Sequence, residues 1–445
     1  MKENKYNLIL SNLKLGNKEF VKAEINKLHA GDIAILINAF PREYQLDLFK
    51  LLDNELASNV LPNLFSDIQE QILSVIPPNR LINIIDEMES DEAVDILSDL
   101  EDDLSKKVLD NINKEDSEDI RRLMAYDEES AGGLMQSEFI AVETQMKRDE
   151  IIEFIRENHT DVENLHYVFV IDTEKKLVGI LEITSLLLAK KNSIASSIME
   201  KKELFVANVN MDQEQVAHIF RKYDLYILPV VDDNNLLLGR ITVDDIIDVI
   251  DEEASEDAYK MVGLESEDKV FTTPLSSVKK RLPWLALNLM TALLVSSVVG
   301  IFENTISQLS FLAVLMPIVA GLGGNSGIQT LTVIIRGIAL GELTIHNTRK
   351  AIFKEVTVAV INGILIGSTA MLIAYLLKSD LMLGVVLGCA MVCNMLIAGL
   401  VGSIIPIIMK SLKIDPALAS SVIITMLTDI GGFASFLGLA SILLV

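Results

Sequence analysis

Five apolar stretches, each long enough to cross roughly 30 Å of hydrocarbon, fill the last third of the chain and restrict what it can fold into. They run Leu285–Ile306, Leu309–Ile335, Val356–Leu377, Leu381–Met409 and Pro416–Val445. The last carries a single carboxylate, Asp429. At about 1.5 Å per helical residue, Asp429 is expected roughly 20 Å from Pro416 and roughly 24 Å from Val445, near the bilayer centre. A carboxylate there costs about 2.5 to 3.5 kcal/mol on the lenient insertion scale, so a simple anchor would carry Leu instead. Ala417, Ser421, Thr425, Thr428, Gly432 and Ser435 form one narrow helical stripe with Asp429 on its border. Small and hydroxylated residues on one face either admit a second helix or line a wet path. Pairing of Asp429 with a basic group is the lesser reading, because the nearby lysines and arginines lie at segment ends.

Charge divides the chain in two. Of 38 Lys and Arg and 63 Asp and Glu, residues 279–445 hold ten and six, which leaves residues 1–278 with 28 and 57. So acidic a soluble part argues against nucleic acid and against docking on anionic lipid, and it suits cations, metal ions included. The start, MKENKYNLIL, lacks the apolar run of a secretory signal, so residues 1–278 are expected in the cytosol. Arg336, Arg349, Lys350 and Lys354 follow the second span and Lys410 and Lys413 the fourth. By the positive-inside rule the amino terminus is cytosolic and the carboxyl terminus outside. Cys389 and Cys393, one turn apart in an apolar segment, read as buried packing residues. Lys279-Lys280-Arg281 marks the cytosolic edge of the membrane, with Pro283 and Trp284 as a turn and an interfacial anchor. The second span contains Pro317, Gly321, Gly323, Gly324 and Gly327, which predict a broken or kinked helix whose freed carbonyls line a cavity. Gly324 and Asn325 join Thr425 and Thr428 as candidate pore-lining residues. Close helix packing is the competing use of those glycines.

Upstream, apolar segments end at Phe40, Leu52, Phe65, Ile76, Met88, Leu100 and Ile112, eleven to thirteen residues apart. Helices of two turns cannot bury a face alone, so residues 1–130 are expected to stack as an all-α superhelical repeat. A second repeat, near sixty residues, follows in 131–195 and 196–249. Phe169-Val170-Ile171-Asp172 with Leu177-Val178-Gly179-Ile180 recurs as Val230-Val231-Asp232 with Leu238-Gly239-Arg240-Ile241, and Gly133-Leu134-Met135 answers to Ser197-Ile198-Met199. Each unit reads helix, strand, hairpin, strand, helix. These residues resemble a tandem pair of cystathionine-beta-synthase (CBS) domains, modules that often bind adenine nucleotides. The resemblance implies an ATP-type ligand near Gly239, Thr242 and Asp245, whereas the first copy departs from the pattern at Glu182 and Ser185. A connecting acidic helix, 250–278, then leads to the membrane domain, 279–445. The run from Asp244 to Asp257 holds eight carboxylates, whose mutual repulsion counter-cations would relieve. Its Ile246, Ile247, Val249 and Ile250 are expected to pack one helix face.

Arg281-Leu282-Pro283-Trp284-Leu285, the stretch from Pro317 to Gln329, and Thr428-Asp429-Ile430-Gly431-Gly432-Phe433 resemble the MgtE magnesium transporter family, with Ile328 as a departure from its pattern. The module order agrees along essentially the whole chain. The resemblance implies a homodimeric, multi-pass channel in the cell membrane that admits Mg2+ and is closed by cytosolic Mg2+. Two copies of Asp429 across a dimer axis would hold a hydrated Mg2+, an ion usually bound by one or two carboxylates with several waters kept. The regulatory acids it implies are Asp91 and Asp95, then Glu214, Asp224, Asp245 and Asp248, then Glu253, Glu256 and Asp257. Two other readings are a carrier of Co2+ or Mn2+ and a membrane-anchored CBS sensor that transports nothing. No phosphate loop, nucleophile constellation or metal-hydrolase motif points to an enzyme.

Overall fold

The computed structural model describes residues 3–158, 165–200, 204–264, 268, 270, 272–344, 346–418 and 421–445. By internal contacts it divides into two units, 1–249 and 250–445.

The first unit opens with α1 (Glu3–Lys14) and α2 (Lys18–Ile25). Eight short helices follow: α3 (Ala30–Ala39), α4 (Arg42–Phe49), α5 (Asn54–Val60), α6 (Ser66–Leu73), α7 (Pro78–Ile85), α8 (Ser90–Ser98), α9 (Asp102–Leu109) and α10 (Lys114–Leu123). Their first residues are 30, 42, 54, 66, 78, 90, 102 and 114, an unvarying step of twelve. The apolar pairs Leu36/Ile37, Leu48/Phe49, Val60/Leu61, Ile72/Leu73, Ile84/Ile85, Ile96/Leu97 and Val108/Leu109 keep the same step and are all buried. Helices two apart in sequence contact one another: α3 with α5, α5 with α7, α7 with α9, α4 with α6, and α8 with α10. The fourth helical position often carries a polar side chain that ties off the preceding helix. Gln45 donates to the Phe40 carbonyl at 3.0 Å, Gln69 to Leu61 at 2.8 Å and Ser117 to Leu109 at 2.7 Å. Such carbonyls at helix ends have no partner within their own helix. The array is the expected all-helical stack.

Two three-stranded sheets follow. In the first, β1 (Ala141–Glu143) pairs parallel with β2 (Tyr167–Ile171), which pairs antiparallel with β3 (Leu177–Glu182). In the second, β4 (Ala207–Asn208), β5 (Ile227–Val231) and β6 (Leu237–Thr242) repeat that pattern. Helices α11 (Arg148–Asn158), α12 (Ile183–Leu188) and α13 (Ala195–Ile198) belong to the first copy and the connection, and α14 (Gln213–Tyr223) to the second. The two hairpins match at an offset of sixty, down to the left-handed turn residues Lys175 and Asn235. The leading strands β1 and β4 are additions to the expected helix–strand–hairpin–strand–helix unit. The leading segments are exchanged between copies: a Cβ on Gly239 would meet Met135 Sδ at 2.9 Å, and one on Gly179 would meet Met199 Sδ at 2.6 Å. Helix α15 (Val243–Met261) closes the second copy and continues into the second unit. Ile246 and Val249 are buried while Ile247 is 56% and Ile250 36% exposed, so only half of the expected apolar face is used.

The second unit holds α16 (Pro274–Ile301), α17 (Glu303–Gln308), α18 (Phe311–Ala339), α19 (Thr348–Lys378), α20 (Leu381–Ser411), a 3₁₀ turn at Pro416–Leu418 and α21 (Ser421–Leu443). Among the described residues, five of these helices are long and apolar enough to cross a membrane: α16, α18, α19, α20 and α21. Pro283 lies inside α16, so it and Trp284 do not form the expected turn. The break expected in the second span is also absent, since α18 is one continuous helix with Pro317 inside it. Gly323 and Gly327 serve packing instead. A Cβ on Gly323 would overlap the Asn394 amide of α20, and one on Gly327 would come 2.6 Å from Ile424 of α21. Asn394 has no exposed surface and donates to the Val319 carbonyl at 2.8 Å. Cys389 and Cys393 are exposed on α20 rather than buried, because the inward face of that helix is taken by Gly384, Gly388, Met391 and Asn394.

The α19–α20 crossing brings backbones together: a Cβ on Gly367 would stand 2.7 Å from the Gly388 carbonyl oxygen. Overpacking of this kind costs about 1 to 3 kcal/mol. Gly367→Val is therefore expected to lower the unfolding temperature of the detergent-solubilised protein by several degrees, whereas Ser368→Val, on the exposed side, is not. Equal unfolding temperatures would contradict the close crossing.

Candidate ion path and regulatory metal sites

Helix α21 begins at Ser421, not at Pro416. Asp429 consequently lies about 12 Å from the start of its helix and about 21 Å from its end, nearer the Pro416 side than expected. Thr428 is fully buried, Asp429 is half-buried, and the Asp429 Oδ1 atom is buried with no hydrogen-bond partner. A Cβ on Gly324 would lie 3.4 Å from Thr425 Cγ2 and 4.0 Å from Thr428 Oγ1. The crossing of α18 and α21 thus gathers Gly324, Thr425 and Thr428 one residue from Asp429. Thr425 donates to the Ser421 carbonyl at 2.5 Å and Thr428 to Ile424 at 3.0 Å. Their hydroxyl protons are committed to the helix, which leaves oxygen lone pairs for a cation or its water. Asn325 stands apart from this crossing. It is exposed on α18 together with Gln329 and Thr332, an outward polar stripe on a membrane-length helix.

The acids of the first unit that the family resemblance marks as regulatory fall into separate places. Gln136, which sequence reasoning passed over, gathers one group: its Nε2 donates to Glu89 at 3.0 Å, to Asp91 at 3.1 Å and to Asp245 at 3.4 Å. Asp245 also accepts from Thr242 Oγ1 at 2.6 Å. Asp91 Oδ1 and Gln136 Oε1 are buried and have no hydrogen-bond partner. Burial first, then the charges of Asp245 and Glu89, hold the Asp91 carboxyl well above the usual range. Burial, helped by Asp244 and Asp248, pushes Asp245 up to about 6 against the hydrogen bonds from Thr242. Two unsatisfied acceptors beside two such acids favour a proton or a cation. Asp95 and Asp248 are exposed one turn beyond Asp91 and Asp245 on their helices. Glu214 and Asp224 sit at opposite ends of α14, about 15 Å apart.

The second unit holds the other group. Asp257 and Glu256 on α15 face Asp415, a residue that spacing gave no reason to choose, because its neighbours come from about 155 positions away. Lys260 Nζ donates to Asp415 Oδ2 at 2.7 Å and pairs with Glu256. Asp415 Oδ1 accepts from the Ala417 backbone at 2.8 Å and so turns the chain into α21. Burial, then the charge of Asp415, pushes Asp257 up to about 6. Glu253 lies one turn earlier on α15, half-buried. Next to Lys260, Met261 packs against the cluster of Leu331, Ile335 and Ile424, and Gly263 ends the helix with φ +73° against Trp284. The end of α15 therefore abuts α18 and α21 below Asp429. Among the described residues, no three carboxylate, histidine or cysteine side chains are disposed as a ready metal cage.

The expected nucleotide residues are otherwise occupied. Gly239 is backed by Met135 and by the Gln136 carbonyl, and Thr242 and Asp245 bond to each other. The open cavity of the CBS pair, about 220 Å3, lies at the pseudo-equivalent place. Tyr167, Glu182, Glu200, Phe205, Tyr223 and Tyr226 line it, with Asp224 at its edge.

The membrane helices match a family described as divalent cation transporter over residues 316–439. Residues 28–129 match the MgtE intracellular N domain, and 131–192 and 195–252 match CBS domains. The magnesium transporter MgtE of Thermus thermophilus is 31% identical over 97% of both chains. The chain belongs to the MgtE family. The MgtE of Bacillus subtilis is 30% identical over 94% of this chain and 93% of its own, and that of Enterococcus faecalis 36% over 74% and 72%. A solved cytosolic domain of the Mg2+ channel MgtE in complex with ATP covers 54% of this chain and 98% of its own, with TM-score 0.52 and 30% identity. Family membership and the five spans make the chain a multi-pass membrane protein of MgtE type.

The Asp245 carboxyl is raised from its ordinary value of 3.8 to about 6 in the folded state. A raised acid contributes fully to stability below the unfolded value and loses that contribution as pH climbs through about 6. Discounted for partial exposure, the penalty at pH 7 is about 1 to 2 kcal/mol. Asp245→Asn is expected to raise the unfolding temperature of the first unit by a few degrees at pH 7 in EDTA and to leave it nearly unchanged at pH 4.5. An equal rise at both pH values would show that charge is not the cause.

Proposed function

We propose that this chain forms a homodimeric Mg2+ channel, closed by cytosolic Mg2+ at acids of its soluble domains and connecting helix. The observation that carries the reading is the half-buried Asp429, with one buried oxygen unpaired beside Gly324, Thr425 and Thr428. One carboxylate per chain is a poor magnesium site. Two across a dimer axis, holding an ion that keeps most of its waters, suit its coordination. The exposed stripe of Asn325, Gln329 and Thr332 supports the dimer, since polar side chains at membrane depth are placed against protein or water. The related proteins are named magnesium transporters, and the basic residues flanking the spans support a cytosolic amino terminus and an outer carboxyl terminus.

Closure follows from the two acid groups. Without Mg2+, the carboxylate charge left over in each group, beyond what Gln136 solvates in the first and Lys260 neutralises in the second, favours separation of the elements that carry it; with Mg2+, Asp91 and Asp245 are bridged, and Glu253, Glu256 and Asp257 are drawn to Asp415. Asp95, Glu214, Asp224 and Asp248 supply further weak contacts to hydrated ions. The ion shifts the equilibrium only by its preference for the closed arrangement. An adenine nucleotide is proposed at the cavity of Tyr167, Glu182 and Tyr226 rather than at Gly239, Thr242 and Asp245. Aromatic rings there can stack a base, and the carboxylates can accept from a ribose.

The decisive experiment is magnesium flux into liposomes containing the purified dimer. Asp429→Ala is expected to reduce flux at least tenfold while dimerisation and unfolding temperature persist. Equal flux would move the path elsewhere. Flux in neither protein at low internal magnesium would favour a sensor, and preferential flux of Co2+ or Mn2+ would change the ion.

A further inference from the structure

Within the second unit, three carboxylates converge on one ammonium. Lys260 Nζ lies 2.7 Å from Asp415 Oδ2 and closer still to Glu256, and Asp257 is near enough to Asp415 for the two charges to oppose each other. Lys260 is about a quarter exposed. Burial works against its charge, yet the bonds to Asp415 and Glu256 hold its pKa above the usual lysine value, so it stays an ammonium at all working pH. The ammonium joins α15 to the turn between α20 and α21, and the adjoining Met261 rests on residues of α18 and α21.

We propose that Lys260 is the resident counter-cation of the seat that regulatory magnesium takes, so the ion closes the gate by replacing an ammonium rather than by filling a vacancy. The proposal rests on the assignment of Glu256 and Asp257 as regulatory acids and adds Asp415 and Lys260 to them. A hydrated divalent ion and an ammonium compete for the same oxygens, because both are strongly hydrated cations and the same three carboxylates face each. The consequence is a linkage with a definite sign. In Mg2+-free solution Lys260 holds α15 against Asp415 and keeps part of the population closed. At saturating Mg2+ it has already been displaced and contributes nothing to closure. Lys260 thus sets the basal opening of the gate while leaving its closed limit to the metal.

The test is patch recording of the full-length dimer with cytosolic Mg2+ varied from zero, in EDTA, to saturation. Lys260→Met keeps the apolar stem and removes the charge; Lys260→Arg keeps the charge. In Lys260→Met, current in Mg2+-free solution is expected to rise at least twofold, with the residual current at saturating Mg2+ unchanged, and Lys260→Arg should follow the natural sequence. A rise at both extremes would mean that the side chain merely braces the fold, and no rise at either would mean that the ammonium has no part in the gate. Both results overturn the proposal, as would Lys260→Arg behaving like Lys260→Met. Asp415→Asn separates the underlying reading: it is expected to weaken closure by Mg2+. Closure unchanged in that variant would remove the seat itself, whereas weakened closure alongside an inert Lys260→Met would discard only the exchange.

Discussion

An acidic oxygen without a partner at membrane depth is tolerated only where the helices around it leave room for water or an ion. The packing around Asp429 is set from one helix. α20 is the central helix, with Gly384, Gly388, Asn394, Gly399 and Gly402 all buried along it. Asn394 fits between Gly323 on α18 and Gly432 on α21, and thereby fixes the spacing of the two helices that carry Gly324, Thr425 and Thr428. Without those glycines the amide would have no space. Without the amide, the two helices would lose the group that keys them together.

The two acid groups handle charge repulsion differently. Gln136 reaches Glu89, Asp91 and Asp245 with one neutral amide and still leaves acceptors unsatisfied. Around Asp415 a full positive charge is present from the start. The first group is poor in donors and asks for a cation; the second already contains one. Two groups of like charge are thus held by different means, one by a neutral amide and one by an ammonium.

The sequence was most informative where periodicity spoke. Apolar segment ends eleven to thirteen residues apart foretold the helical stack, and the sixty-residue offset foretold both hairpins. β1 and β4 escaped notice because three and two residues carry no period. The glycines of α18 misled for a different reason. Local propensity reads Gly321 to Gly327 as a break, yet tertiary packing against Asn394 and Ile424 outweighs it and uses the missing side chains of Gly323 and Gly327 as notches. Asp429, Thr425 and Thr428 stood out because they are polar where Leu was expected. Asp415 and Gln136 could not stand out, since a carboxylate beside a proline and a glutamine in a loop are ordinary until the fold sets their neighbours around them.

The helical array has one further property. Because every helix from α3 to α10 starts twelve residues after the last, the buried pairs form a ladder with a fixed rung spacing. A residue inserted inside a helix would turn that helix's buried pair off the shared face, whereas one inserted in a connecting turn, or a whole rung gained or lost, leaves the ladder intact. The array therefore accommodates changes of length at its turns and by whole repeats, and resists them inside its helices.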